Sequence, residues 1–366
     1  MTAQPAVDTA NLSAPRTQAV RGPAGRSRAV AVWLFAVAAL VLAMVVVGGA
    51  TRLTGSGLSI TQWRPISGVA PPLTASGWAR AFAFYRATPQ YRLVNAGMSL
   101  SQFQSIFWWE WSHRLLGRLI GVVFALPFVV FLTRHQIPRR LAGRCALLLA
   151  LGALQGLVGW WMVVSGLEGR VAVAPERLAV HLGLALVLYG ALIWTALEAW
   201  TGEGRRARSP WRAAALALLA GIFLQCLLGA LLAGSRGGLI DNDWPLMSGR
   251  FFPADYWRGS LAATLFEGPA ASQFDHRIGA CAVLAGSLSL AAWARLRPAT
   301  PMLRRMSLFL ALAVIAQAGL GIATLRFIDP LALAMAHQAG AAIVLAIAVT
   351  TAWTAGRYPD TVATNP

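Results

Sequence analysis

The chain of 366 residues has no lysine, only 13 acidic residues and three cysteines, and charged residues make up 12% of it. Each scarcity excludes something. The net charge of +18 is carried by arginine alone, which reads as a bias of genome composition and not as the footprint of a nucleic-acid partner. Cys145, Cys226 and Cys281 lie far apart, with neither a CxxC pair nor an obvious disulfide, and are expected to be small apolar core residues. No GxGxxG or Walker pattern occurs, so the glycines of GGATRLTGSGLS are read as a tight helix exit and close backbone approach, not as a phosphate cradle.

What is abundant is apolar sequence: 57% of the residues are hydrophobic, and several runs exceed the ~18 residues that a bilayer-spanning helix needs. Eight spans are expected, at 30–50, 107–133, 141–165, 175–199, 211–233, 273–294, 303–325 and 331–354. Arginines cluster in the tail before the first span (Arg16, Arg21, Arg26, Arg28), around Arg134, Arg139, Arg140 and Arg144, around Arg205, Arg206, Arg208 and Arg212, and around Arg295, Arg297, Arg304 and Arg305. By the positive-inside rule that side is cytoplasmic, with both termini on it. Residues 1–29 read as a disordered cytoplasmic tail; Asp8 and the prolines fit a targeting peptide poorly, and an uncleaved first span is expected.

The chain resembles itself. GGATRLTGSGLSITQWRPISGVAPPL (48–73) corresponds to GALLAGSRGGLIDNDWPLMSGRFFP (229–253), aligning Gly57 with Gly238, Trp63 with Trp244 and Gly68 with Gly249. HRLLG at 113–117 echoes HRIGA at 276–280, QGLVG at 155–159 echoes QAGLG at 317–321, and HLGLALVLYGALI at 181 echoes HQAGAAIVLAIAV at 337. Four spans are thus followed by four in the same order, and an even number per repeat keeps both halves in one orientation. The expected fold is an all-α polytopic membrane protein whose eight transmembrane helices form two tandem, parallel-oriented four-helix bundles. The expected division is a tail at 1–29, a first bundle at 30–200, a cytoplasmic linker at 201–212, a second bundle at 213–355 and a C-terminal tail at 356–366.

His135 falls in a short arginine-rich loop, where a solvated role is expected. His113, His181, His276 and His337 are expected in the first turns of the second, fourth, sixth and eighth spans, near the non-cytoplasmic face. Ionisable groups inside spans are costly and usually face the bundle interior. One lone histidine would read as an interhelical hydrogen-bonding residue. Four placed by a repeat, two per bundle, point instead to axial ligation of haem in a water-excluding core. Zinc would want more ligands at closer spacing, with thiolates or carboxylates. Arg114 and Arg277, each following a histidine, suit propionate carboxylates, although snorkelling to the interface stays open. The tryptophans of WWEW (108–111), Trp160 and Trp161 read mainly as an interfacial belt.

The halves differ at one telling place. Glu110 precedes His113 by three residues, whereas Gln273 precedes His276 by three, and i,i+3 residues share a helix face. One half therefore has an ionisable group where the other has a neutral amide, which suggests a reactive site in the first bundle and a stable redox cofactor in the second. A plain ion pair of Glu110 with Arg114 is the competing reading.

GGATRLTGSGLS, EWSHRLLGR, HLGLA, DNDWPLMSGRFFP, QFDHRIGA and AHQAGAA together resemble the haem A synthase family, over about residues 30–355. The absence of cysteine from 51–106 is similar to the proteobacterial and mitochondrial branch. The resemblance implies an inner-membrane oxidoreductase that converts the C8 methyl group of haem O to a formyl group through hydroxylated intermediates, giving haem A for cytochrome oxidase, with haem b as cofactor. Carried over, it places the substrate haem at His113 and His181, the essential glutamate at Glu110, and the haem b iron at His276 and His337. It also implies haem O synthase as a supplier, while the electron acceptor and any homo-oligomer stay open. A bis-histidine dihaem electron carrier is the alternative, and it predicts equivalent halves. A parallel-repeat transporter would instead place its polar residues near the bilayer midplane.

Overall fold

A computed structural model of the chain describes residues 27–202 and 209–357. The expected N-terminal tail therefore lies almost wholly outside the described residues, as do half of the linker and most of the C-terminal tail. The described residues are almost all helical: α1 (Arg28–Leu53), α2 (Ala75–Arg86), α3 (Pro89–Leu93), α4 (Leu100–Thr133), α5 (Arg139–Leu167), α6 (Pro175–Thr201), α7 (Pro210–Gly234), α8 (Pro269–Leu296), α9 (Pro301–Arg326) and α10 (Leu331–Ala355). Eight of these, all but α2 and α3, are long and apolar enough to cross a membrane.

Local chemistry marks where these helices begin. Proline occupies the first turn of α6, α7, α8 and α9, a position whose N–H has no helical partner anyway. Ser27, Ser209 and Thr300 accept from the backbone N–H three residues on, capping α1, α7 and α9. The helix ends agree with the expected spans to within a few residues except at α4, which starts at Leu100 instead of 107. The polar stretch 99–105 hides this extension: Ser99 and Gln102 form a capping box, and Phe103 and Phe107 are buried against Tyr85 and Trp78. At 34 residues α4 is about 50 Å long, so its first turns stand clear of a hydrocarbon core about 30 Å thick. The helices α2 and α3, which no membrane periodicity announces, pack on that projection as a roof.

The repeat is visible in the packing. In the first bundle α1 lies against α4 and α6, and α5 against α4 and α6; in the second, α7 lies against α8 and α10, and α9 against the same two. Between the bundles α1 meets α10 and α6 meets α7, contacts that exchange when the halves exchange, and α6 meets α10. This is the arrangement of a two-fold axis along the bilayer normal. Leu186, Leu345 and Val349 belong to one buried apolar cluster that runs across both halves. Cys145 is buried as expected, but Cys226 is half-buried and Cys281 exposed; an outward-facing helix position in an apolar chain accepts a small thiol as readily as the core does.

Candidate functional site

Each of the four histidines sits deeper than the first turn expected for it. His181, His276 and His337 lie about two turns into α6, α8 and α10, and His113 nearly four turns into the longer α4. Each is backed by a glycine of a neighbouring helix. A Cβ on Gly48 of α1 would stand 3.1 Å from His113 Nε2, one on Gly159 of α5 2.9 Å from His181 Cε1, one on Gly229 of α7 3.1 Å from His276 Cε1, and one on Gly321 of α9 2.7 Å from His337 Cε1. No larger residue leaves those rings in place. Gly48 matches Gly229 in the repeat, and Gly159 matches Gly321.

One turn away on three of these helices stands a glutamine. Gln155 Nε2 lies 3.2 Å from His181 Nδ1 and donates to the His181 carbonyl at 2.9 Å. Gln225 does the same to His276, at 3.0 and 2.8 Å, and Gln317 to His337, at 3.0 and 2.7 Å. The contact occupies Nδ1 and leaves Nε2 as the free ring nitrogen. A metal on Nε2 requires the proton on Nδ1, which then needs an oxygen acceptor; the Oε1 atoms of Gln155 and Gln225 are buried without a hydrogen-bond partner, and turning the amide over would bring Oε1 to Nδ1. Sequence reading noted the echo of QGLVG in QAGLG as a repeat marker without assigning it chemistry. The missed signal is the Q-x3-G spacing, which recurs as QCLLG at 225–229 and places both residues on one helix face.

The rings of His276 and His337 stand 6.3 Å apart between centroids, at 81°. A metal–imidazole bond of about 2 Å on each side, plus about 1 Å from each nitrogen to its ring centre, gives a span of about 6 Å. The pair therefore fits two axial ligands of one iron between α8 and α10. Among the described residues His113 and His181 form no such ring pair.

Glu110 is 3% exposed and fully engaged. Its Oε2 accepts from Ser59 Oγ and from the Ile60 amide, both at 2.7 Å, and its Oε1 accepts from Arg114 Nη2 at 2.5 Å. Arg114 also donates to the carbonyls of Ile60 (2.6 Å) and Gln62 (3.1 Å). Gln273, 1% exposed, instead donates to the carbonyls of Gly237 and Asp241 and accepts from Arg277. Arg277 donates further to the carbonyls of Asp241, Pro245 and Leu246, and keeps a buried Nε without a partner. In both halves, then, the acid or amide and its arginine pin the incoming loop above a histidine. Ser59 is a further residue that sequence reading missed. Over the first site the roof is held by Tyr85, which donates to Gln90, while Gln90 donates to the Gly55 carbonyl. Burial raises the Tyr85 phenol above its usual pKa, opposed by the hydrogen bond from Asn95.

Of the expected interfacial tryptophans, Trp108, Trp109, Trp160 and Trp161 are substantially exposed, while Trp111 is half-buried and donates to the Val69 carbonyl. His135, with φ of 53°, lies in the turn between α4 and α5.

The family described as cytochrome oxidase assembly protein matches residues 31–349. The heme A synthase of Caulobacter vibrioides is 56% identical over 330 residues, covering 90% of this chain and 96% of that protein. The heme A synthase of Parvibaculum lavamentivorans is 48% identical over 340 residues (92% and 96%), and that of Rhodopseudomonas palustris 49% identical over 330 residues (88% and 90%).

Proposed function

The chain belongs to the cytochrome oxidase assembly family that includes the heme A synthases, and from that premise we propose that it oxidises the C8 methyl group of haem O to the formyl group of haem A in its first bundle, with haem b held in its second. It is an oxidoreductase of a bacterial inner membrane, crossing it several times. The observation that carries the division of labour is the pair Glu110 and Gln273: the same place in the repeat holds an acceptor-only carboxylate in one half and an amide in the other.

His276 and His337 hold the haem b iron, supported by their ring spacing and by Gln225 and Gln317 behind them. Haem b, when bound, supplies reversible one-electron chemistry. His113 and His181 hold the substrate haem. Glu110 is the catalytic carboxylate. With both oxygens already accepting hydrogen bonds, it serves best as a fixed negative charge that stabilises positive charge developing as the methyl group is oxidised. Arg114 and Arg277 complete the two sites by holding the loops over them, and the spare Nε of Arg277 is the donor left for a propionate. The division into 30–200 and 213–355 follows the same assignment. The arginines that flank the α4–α5 and α8–α9 connections support a cytoplasmic position for that face and for both termini, which leaves the four histidines toward the periplasm.

The test is co-expression with a haem O synthase in a bacterial host that makes no haem A. Haem A is expected in the extracted pigments with this chain and not with its His113→Ala, His181→Ala double variant. Accumulation of unaltered haem O with the native chain would overturn the proposal.

A further inference from the structure

Three of the four histidine–glycine contacts are accompanied by a glutamine four residues before the glycine: Gln155 before Gly159, Gln225 before Gly229, Gln317 before Gly321. At the fourth, the place four residues before Gly48 is Met44. A thioether donates no hydrogen bond, and among the described residues none reaches the His113 ring. Gln225 lies against Gly279 and Gln317 against Gly340, each three residues after its histidine; Gln155 holds His181 with Leu184 at that place, and His113 has Leu116 there. Met44 is packed instead on Gly117, 3.4 Å from where a Cβ would stand. The ring is also turned. His181, His276 and His337 present Cε1 to their glycines, but His113 presents Nε2 and Cδ2, with Nε2 toward α1.

We propose that His113 is the labile ligand of the four, and that α1 makes it so by carrying Met44 where α5, α7 and α9 carry glutamine. This rests on the reading of these histidines as haem ligands. A ligand whose Nδ1 is held by an outer partner is fixed in tautomer and ring orientation. Losing that partner lowers the energy needed to swing the ring off the iron. The bundle that must take in a substrate porphyrin and release a product thus has one anchored ligand, His181, and one that can let go. The bundle that keeps its cofactor has two anchored ligands. His113 is accordingly the face of the first site that opens, and Met44, Gln155, Gln225 and Gln317 are positioning residues.

The probe is carbon monoxide binding to the dithionite-reduced, full-length protein in detergent, after titration with hemin, read in the Soret band together with extracted haem content. In the native protein one haem population is expected to bind carbon monoxide and the other not. Met44→Gln with Leu116→Gly, which supplies the amide and a glycine like those at Gly279 and Gly340, is expected to weaken carbon monoxide binding by about tenfold. Gln225→Met is expected to make the second haem carbon monoxide-reactive by a similar factor. His181→Ala is expected to lose the first haem, and His113→Ala to retain it. Unchanged carbon monoxide binding in the Met44→Gln, Leu116→Gly variant would overturn the proposal. If that variant fails to retain any haem, Gln225→Met decides: a second haem still unreactive overturns the proposal. Haem retained in full after His276→Ala and His337→Ala would instead sink the ligand reading beneath it, and the proposal with it.

Discussion

Glu110 and Gln273 show how one side-chain atom changes what a site can do. Both are buried, both pin a loop, and both pair with an arginine one turn on. Replacing Glu110 by Gln leaves a half-buried Arg114 without its counter-charge and asks an N–H₂ to sit where Ser59, the Ile60 amide or Arg114 donates. Haem A formation by Glu110→Gln is expected to fall at least about a hundredfold, with the haem B content of the purified protein unchanged; pigment chromatography of membranes and of purified protein checks both. The glycines behind the histidines make a second residue-scale prediction. Gly321→Ala puts a methyl group against His337 and is expected to weaken haem B retention by about tenfold, measured by Soret absorbance per protein, whereas Gly319→Ala, which meets nothing within 4 Å, leaves it unchanged. At this scale the histidines and the odd carboxylate were legible in the sequence, because ionisable residues stand out in an apolar run. The glutamines and glycines were not read, because neither residue type is unusual in a membrane helix until its four-residue spacing is seen on three helices at once.

Helices were legible where membrane thickness dictates them and not where local packing does. The apolar runs announce all eight spans, but α4 begins seven residues before the span expected for it, and α2 and α3 carry no long periodicity. What builds that roof is aromatic contact: Phe103, fully buried, stacks on Phe82 and Tyr85 at ring separations of 5.0 and 5.4 Å. Phe103→Ala is expected to cost the roof about 3 kcal/mol and to speed amide exchange over 75–107, while exchange in α8 and α10 stays as it was; hydrogen exchange with mass spectrometry distinguishes the two regions. Among the described residues the second half has no counterpart of α2 and α3: its loop carries a short π-helical turn at Ala263–Glu267 instead. The repeat in sequence was clear where helices and histidines recur, and silent on this divergence, since insertions in a loop leave no periodic trace.

At the scale of the molecule, two bundles of like plan have diverged in what they hold. They are joined by more than apolar contact. Gln338, next to His337, donates to the Val45 carbonyl of α1 at 2.6 Å, and Arg52 at the end of α1 donates to the Ala233 carbonyl near the end of α7. Gln338→Leu is expected to loosen the halves without emptying either: after protease cleavage within 201–212 the two fragments should separate more readily on detergent gel filtration than those of the native chain, each keeping its pigment. The two-fold order of the fold was legible from self-comparison alone, whereas these cross-links were not, because each is made by one half only. The central claim is that a dihaem scaffold became an enzyme through asymmetry, with substrate turnover in the first bundle and a resident haem in the second. Extraction and chromatography of the pigments from native protein, purified from cells that make haem O, tests it most directly. Haem B together with haem O, a hydroxylated intermediate or haem A is the expected result; haem B alone, or no haem, would contradict it.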